Sequence, residues 1–321
     1  MQLDKANLRT YLESKELIDK DESIYISEME GGWINPLFLV RREQNSFVMK
    51  QILEKGKEGG DHENFEFPRE RIMNEYHATI IAKKYGPSLI PEIIHADFEN
   101  YILAIEYFES EMLFEWLKRN PLTEDIGRKL VNFLINLHNN TTNDYFVQKM
   151  VSHKSYWHLK YKYQYLEAPC SPKTKKIIKD FVEEFSKRKI CLVHGDMNSR
   201  NVLVDKDNAL KIIDFEEAAF NDPAHDIGMM LSQLIIEKEV FEKIRAKDIL
   251  LFFNTYLKHI KFRNKEKLRR SIIMHTSAII LARLEGTVKY KFIPEDTKPK
   301  LRFIAENAIL KGKRDINSLL M

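Results

Sequence analysis

Short apolar runs separated by polar or glycine-containing segments occupy the first third of the chain. Runs of this length, rich in β-branched and aromatic residues, predict β-strands. They lie at 24–26, 37–40, 46–51, 93–97 and 101–108. Apolar residues at helical spacing predict one helix before these strands, over 1–20, and another between the third and fourth strands, over 68–85.

After the last of these strands the pattern changes, and apolar residues recur every three or four positions. This spacing predicts helices over 123–137, 248–260, 265–284 and 299–310, and one more that begins at Asp226. Strands gathered before helices are typical of an α+β fold. Because 321 residues exceed one ordinary core, we predict two lobes, a β-rich one over 1–106 and a mainly helical one over 107–321.

A hairpin is predicted inside the helical part. Apolar runs at 201–204 and 210–213 flank Asp207 and Asn208, two residues that tolerate the backbone of a tight turn. With these two residues as the loop, the antiparallel register places the first residue of the first run opposite the residue that follows the second run.

Those two residues are Asn201 and Asp214, so the predicted register brings an amide oxygen and a carboxylate together. Such a pair can share one hard, oxygen-seeking cation such as Mg²⁺. Asp196 lies just upstream, on a segment between two apolar runs. The sequence therefore predicts a metal site with a candidate base beside it.

The residues around this hairpin form an ordered set of motifs. The set comprises His194-Gly195-Asp196, Asn201, Asp214-Phe215-Glu216 and Asp226-Ile227-Gly228. Asp196 and Asn201 have the spacing of a kinase catalytic loop. The stretch resembles the aminoglycoside phosphotransferase and choline kinase superfamily, small-molecule kinases with a protein-kinase-like fold. The resemblance implies a bilobal α+β fold and transfer of the γ-phosphoryl group of ATP, or GTP, to a hydroxyl of a small molecule.

The resemblance also implies a role for each motif residue. Asp196 would be the catalytic base that accepts the proton of the acceptor hydroxyl. The implied ligands of Mg²⁺ are Asn201, Asp214 and Glu216. His194 and Asp226 would support the catalytic loop, the latter through backbone N–H groups.

Candidate nucleotide-binding residues lie in the first third of the chain. Gly31, Gly32 and Asn35 are candidates in the turn between the first two strands, because a glycine turn can lay backbone N–H groups over phosphates. Glu75 lies beside the apolar stripe of its predicted helix and needs a cation nearby, for which Lys50 is the candidate. Kinase-like enzymes use such a pair to hold the α- and β-phosphates. The resemblance places the adenine near Glu106, Tyr107 and Phe108.

The acceptor is less well defined. Segments 35–38, 48–51 and 71–78 resemble methylthioribose kinases. This resemblance implies that Arg283 hydrogen-bonds the hydroxyls of a sugar acceptor such as methylthioribose. Glu217 and Asp222 equally suit a cationic acceptor, such as an aminoglycoside or choline. An alternative from another class is a catalytically idle nucleotide-binding regulator, against which the intact catalytic motifs argue.

The aromatic-rich stretch over 153–166 has two interpretations. At helical spacing its aromatic residues favour packing, but the stretch could also form a lid over the acceptor. The sequence leaves both open.

Composition limits the remaining possibilities. Hydrophobic residues make up 44% and charged residues 31%, as in soluble globular proteins, and the net charge of +3 gives no support for a nucleic-acid or membrane partner. Two cysteines do not make a disulfide framework, and no signal peptide or membrane-spanning run is apparent. We therefore expect a cytoplasmic protein; its oligomeric state and its choice between ATP and GTP are not predicted.

Overall fold

The computed structural model describes residues 2–29, 34–55, 65–153, 155, 157–313 and 315–320. Its first part is an antiparallel sheet of five strands: β1 Tyr25–Glu28, β2 Leu37–Arg41, β3 Phe47–Gln51, β4 Ile93–Asp97 and β5 Ile102–Glu106. The strand order is β1-β2-β3-β5-β4. All five lie within strands predicted from the apolar runs, apart from one-residue or two-residue differences at their ends.

Helices α1 (Leu8–Ser14) and α2 (Arg71–Tyr85) cover the two faces of this sheet. Ala104 on β5 belongs to the apolar cluster that contains α1, and its neighbour Leu103 belongs to the cluster that contains Ile72 of α2. Successive strand residues point to opposite faces, so each helix buries one face.

Helix α1 is shorter than predicted. Its buried residues, Leu8, Tyr11 and Leu12, are those expected from the spacing, but the helix ends at Ser14 instead of running to residue 20. The cause is Glu16, whose φ of 55° is left-handed and turns the chain away.

The remainder of the chain is mainly helical, as predicted. Its helices are α3 Leu113–Leu117, α4 Glu124–Thr141, α5 Tyr145–Met150, α6 Trp157–Tyr161, α7 Pro172–Phe185, α8 Ala224–Phe241, α9 Ala246–His259, α10 Lys265–Glu285 and α11 Lys298–Leu310. Its short strands are β6 Glu111–Met112, β7 Cys191–Val193, β8 Val202–Val204, β9 Leu210–Ile212 and β10 Ala219–Asn221. Strand β8 pairs with β6 and β9, and β7 pairs with β10. Among the helices of the described ranges, none is both long and apolar enough to cross a membrane.

Helix α10 runs through the core of the helical part and is buried from Ser271 to Leu284. It packs closely on α8 at Gly228, where an added Cβ would come within 2.4 Å of Cβ of His275. A glycine at this point of the Asp226-Ile227-Gly228 motif therefore lets the two helices approach. The approach holds the start of α8, and with it Asp226, against the backbone of His194 and Gly195.

Candidate active site

Lys50 extends from β3 towards three carboxylates. Its Nζ lies 2.9 Å from Oε1 of Glu75, 2.6 Å from Oδ1 of Asp214 and 3.3 Å from Oε2 of Glu216. The contact with Glu75 is the one that the sequence predicted. Burial disfavours the charge of Lys50, but the carboxylates outweigh it and raise the pKa of the ammonium. Burial raises the pKa values of Glu75 and Asp214, and repulsion from the neighbouring carboxylates adds to the rise, which the charge of Lys50 only partly offsets.

Asn35 connects the sheet to this group. Its amide nitrogen donates to Oε2 of Glu216 at 2.7 Å, and its amide oxygen accepts from Arg71 at 2.9 Å. The fully buried guanidinium of Arg71 also lies 3.5 Å from Glu216. Sequence reasoning did not assign Arg71 a role, although it lies one helical turn before Glu75 on the same face. The predicted phosphate-covering Gly31 and Gly32 lie outside the described residues.

Asp226 supports the predicted catalytic loop from the start of α8. Its two carboxylate oxygens accept from the backbone nitrogens of His194, at 2.7 Å, and Gly195, at 3.0 Å. His138 on α4 lies 3.2 Å from the same carboxylate. Burial alone would raise the pKa of Asp226, but hydrogen bonds from His138 and other donors lower it strongly. A fixed anion therefore holds two successive peptide groups of the loop.

The ring of His194 connects the loop to the hairpin. Its Nδ1 accepts from the backbone nitrogen of Asp196 at 3.2 Å, which leaves Nε2 to donate to the carbonyl of Ile213 at 3.0 Å. Gly195 follows with φ of 86°, and an added Cβ would lie 2.2 Å from the carbonyl oxygen of Glu217. Only glycine fits this position.

Asp196 is oriented by Asn201. The amide nitrogen of Asn201 donates to Oδ2 of Asp196 at 2.9 Å and to its carbonyl at 2.8 Å. Burial would raise the pKa of Asp196, but the positive charges of Lys160 and Arg283 outweigh it and lower the pKa. The carboxylate is therefore ionised at neutral pH, as a general base requires.

The hairpin that carries Asn201 has a different register from the predicted one. Leu203 on β8 lies opposite Lys211 on β9, whereas the prediction placed it opposite residue 212. The reason is the loop, which contains three residues, 206–208, because Asn208 adopts a left-handed φ of 60°.

As a result, Asn201 lies opposite Ile213, whose backbone nitrogen donates to the carbonyl of Asn201 at 3.0 Å. The predicted pairing of Asn201 with Asp214 is wrong. Asp214 leaves the ladder with φ of 69° and ψ of 62°, a conformation that Asp tolerates better than most residues. This turn directs the carboxylate of Asp214 to Lys50. The side chains of Asn201 and Asp214 therefore still line one cavity.

Lys160 on α6 was not predicted and lies beside Asp196, the predicted base. Its Nζ donates to the carbonyl of Gly195 at 2.5 Å, forms an ion pair with Glu217 and lies 3.7 Å from Oδ1 of Asp196. Burial lowers the pKa of Lys160, and Asp196 opposes that shift. The indole of Trp157 donates to the carbonyl of Glu217 at 2.9 Å, which fixes α6 against the segment that follows Asp214.

The described part of the 153–166 stretch therefore packs and also lines the site. Trp157 and Tyr165 pack in apolar clusters, and Lys160, Tyr163 and Gln164 line a cavity in front of Asp196. The helical spacing of the aromatic residues indicated the packing but did not indicate that Lys160 points towards Asp196.

The three predicted substrate residues have different surroundings. Arg283 lines the same cavity as Asp196, with its guanidinium 4.6 Å from the ring of Tyr290. Glu217 also lines it but is paired with Lys160.

Asp222 is not at this cavity, which corrects the prediction that it binds the acceptor. It is 1% exposed, forms an ion pair with Arg188 and accepts from the backbone nitrogen of Ala224 at 2.9 Å. Asp222 is close to the motif in sequence, but its role is structural, because it stabilises the start of α8.

Two cavities meet at the motif residues. The first, of about 440 Å³, contains Lys50 and Glu75 and extends to the segment from Glu106 to Phe108. The second, of about 250 Å³, contains Asp196, which does not line the first. Side chains that line both are Asn201, Asp214 and Glu216, together with Ile34 and Arg200. This arrangement suits two substrates that react at the junction.

Comparison with known proteins agrees with this geometry. A model of the phosphotransferase enzyme family matches residues 26–248, a range that includes both Lys50 and the catalytic loop. The chain belongs to this family. Its members act on hydroxyl groups, so the predicted superfamily and the predicted enzyme class, a kinase with an alcohol acceptor, are confirmed. The idle-regulator alternative thereby loses its support.

Solved structures share the protein-kinase-like fold. An ethanolamine kinase from Plasmodium vivax is 17% identical, with a TM-score of 0.57 over 94% of this chain and 89% of that chain. The choline kinase LicA from Streptococcus pneumoniae is 13% identical, with a TM-score of 0.53 over 96% of this chain and 99% of that chain. No curated protein matches the chain by sequence. These findings do not confirm the resemblance to methylthioribose kinases in particular.

The carboxylates around Lys50 suit a hard divalent cation. Glu75, Asp214 and Glu216 each offer an oxygen within 4.8 Å of the others. Oε2 of Glu75 is buried and has no hydrogen-bond partner among the described residues. Asn201 uses its amide nitrogen on Asp196, so its amide oxygen remains available as a ligand. Oxygen donors of this kind fit Mg²⁺.

We expect Lys160→Met to reduce kcat by about 10- to 100-fold, with little change in the KM for ATP. The substitution removes the cation that helps keep Asp196 ionised, while Lys160 does not line the larger cavity. It also leaves Glu217 without its cation, so stability should fall by about 3 kcal/mol. Steady-state kinetics and denaturant unfolding measure the two effects.

Lys162→Met is the matched control, because Lys162 is exposed two residues further along the same segment. It should leave both quantities near wild type. Equal kcat values for Lys160→Met and wild type would show that the lysine is structural only.

Proposed function

We propose that the protein binds ATP with Mg²⁺ in the 440 Å³ cavity and phosphorylates a hydroxyl of a small molecule in the 250 Å³ cavity. The observation that carries this proposal is the position of Asp196. It lines the smaller cavity and is hydrogen-bonded to Asn201, which lines both. A base at the junction of two cavities is what transfer between two bound substrates requires.

The proposal that the larger cavity binds the nucleotide rests on Lys50 and on the apolar end of that cavity. Lys50, positioned by Glu75, would bind the phosphates, and Glu106, Tyr107 and Phe108 would lie along the adenine. The lobe boundary between residues 106 and 107 is part of the same proposal, since it follows β5.

The proposed metal site consists of Asp214, Glu216 and Asn201. These residues would hold Mg²⁺, which, when bound, neutralises charge on the phosphates. Asn35 and Arg71 contact the carboxylate of Glu216, so this proposed ligand is held in a fixed position.

The protein's own part in the reaction is mainly positioning. Asp226 and His194 hold the loop, Asn201 orients the carboxylate of Asp196, and that carboxylate accepts the proton of the acceptor hydroxyl. Lys160 stabilises the ionised state of the base from the other side.

Transfer of label from γ-labelled ATP tests the proposal. Hydroxylated metabolites and aminoglycosides are offered singly in the presence of Mg²⁺, and we expect label on at least one organic product in amounts equal to the ADP formed. Label that appears only as inorganic phosphate with every acceptor would contradict phosphoryl transfer to a hydroxyl.

A further inference from the structure

Arg283 is a buried cation without a carboxylate partner in the described part of the chain. It is 9% exposed and lies on α10 among apolar neighbours. Its Nη1 donates to the carbonyl of Val288 at 2.9 Å, and its guanidinium lies against the ring of Tyr290. Its Nε has no hydrogen-bond partner among the described residues. A guanidinium in such a place is stabilised by an anion.

The other charges of the smaller cavity do not supply that anion. Glu217 is already paired with Lys160. Asp214 and Glu216 contact Lys50, at the junction with the larger cavity.

Near Arg283 the cavity wall adds a further positive charge, because Lys289 lies on it as well and is exposed. Asp196 is the remaining anion of the smaller cavity's described lining, and it serves as the base. The far wall of the cavity thus carries a guanidinium that acts on Asp196 at a distance and forms no direct ion pair with a carboxylate of the described residues.

The position of Arg283 favours the acceptor over the transferred phosphoryl group as its partner. Arg283 lines the smaller cavity and not the larger one, whereas the two cavities meet at Asn201, Asp214 and Glu216. A phosphoryl group in transfer would lie at that junction. The non-reacting end of the acceptor would lie against Arg283.

We propose that the acceptor is a hydroxylated carboxylate, whose carboxylate group binds the guanidinium of Arg283 while its hydroxyl lies at Asp196. The proposal rests on the proposed function and adds the charge of the substrate to it. One guanidinium balances one negative charge, so a carboxylate suits the site. The site does not suit a cationic acceptor, because the two acidic residues predicted to bind one, Glu217 and Asp222, are paired with Lys160 and Arg188.

Three molecules of similar size test the charge preference: glycolate, glycolamide and ethanolamine. Each carries one hydroxyl, and their second groups are anionic, neutral and cationic. Binding is measured by calorimetry to the protein saturated with ADP and Mg²⁺. We expect glycolate to bind about 10- to 100-fold more tightly than either of the others, since a charge-assisted hydrogen bond is removed in both.

Arg283→Gln should abolish this preference and leave the affinity for ADP unchanged. Arg283→Lys, which keeps the charge, should retain part of it and serves if the glutamine variant does not fold. Arg263→Gln is the matched control, because Arg263 is exposed and lines neither cavity. It removes the same charge from the chain and should retain the full preference for glycolate.

Equal binding of the three molecules, tighter binding of ethanolamine, or no measurable binding of glycolate would overturn the proposal. A loss of ADP affinity in Arg283→Gln with the preference intact would also overturn it, since Arg283 would then act on the nucleotide. Failure of the proposed function gives a different result: glycolate would still bind preferentially, but no acceptor would receive label from ATP.

Discussion

Asp196→Asn is expected to lower kcat by about 100- to 10,000-fold while leaving nucleotide binding nearly unchanged. An amide has almost the same size as the carboxylate but does not accept the proton of the acceptor hydroxyl. Asp196 lines the smaller cavity and not the larger one, so the affinity for ATP should not depend on it. Turnover assays and calorimetry with ATP and Mg²⁺ measure the two quantities.

Asp207→Asn provides the control, because Asp207 is exposed in the hairpin loop and undergoes the same chemical change. It should retain wild-type turnover. Wild-type turnover in Asp196→Asn would remove the base from the proposed function, and a parallel loss of ATP binding would show that the residue is needed for folding of the loop.

The contact between Lys50 and Glu75 could be predicted because both residues lie in regular elements. The spacing of apolar residues placed Glu75 beside the buried stripe of α2, and a carboxylate in that position requires a cation. The preceding strand offered Lys50. Local pattern and a general electrostatic argument were sufficient, and the observed 2.9 Å contact agrees with them.

The hairpin register could not be predicted with the same certainty, because it depends on a single backbone angle. The pair Asp207 and Asn208 fits a two-residue loop, but Asn208 instead closes a loop of three residues with φ of 60°. One residue of register decides which side chains face each other. Asp214 nevertheless reaches the cleft, because its own left-handed conformation carries it out of the ladder.

Lys160 and Arg71 were not predicted as site residues because their partners are distant in sequence. Lys160 contacts Gly195 and Glu217, and helical spacing within 153–166 contains no information on that contact. Asp222 illustrates the converse. Its proximity to the motif suggested a role at the acceptor, whereas tertiary packing pairs it with Arg188.

Asp214→Ala is expected to remove the dependence of nucleotide affinity on Mg²⁺. Wild-type affinity for ADP should rise at least about 10-fold when Mg²⁺ is added, because a carboxylate and an amide oxygen at the junction would bind the ion together with the phosphates. The variant lacks the carboxylate and should show little increase. Calorimetry with ADP, with and without Mg²⁺, measures both increments, and Asp207→Ala on the same hairpin is the control.

The affinity in the absence of Mg²⁺ distinguishes a metal ligand from a structural residue. Asp214 lies 2.6 Å from Nζ of Lys50 and competes with the phosphates for that ammonium. Its removal should therefore leave metal-free affinity unchanged or increase it, and Lys50 would still be held by Glu75 and Glu216. If Asp214 is a metal ligand, the substitution should therefore abolish the increase in affinity caused by Mg²⁺ without weakening the binding of ADP in its absence. If both fell together, Asp214 would support the fold of the cleft, and the metal would have to bind elsewhere.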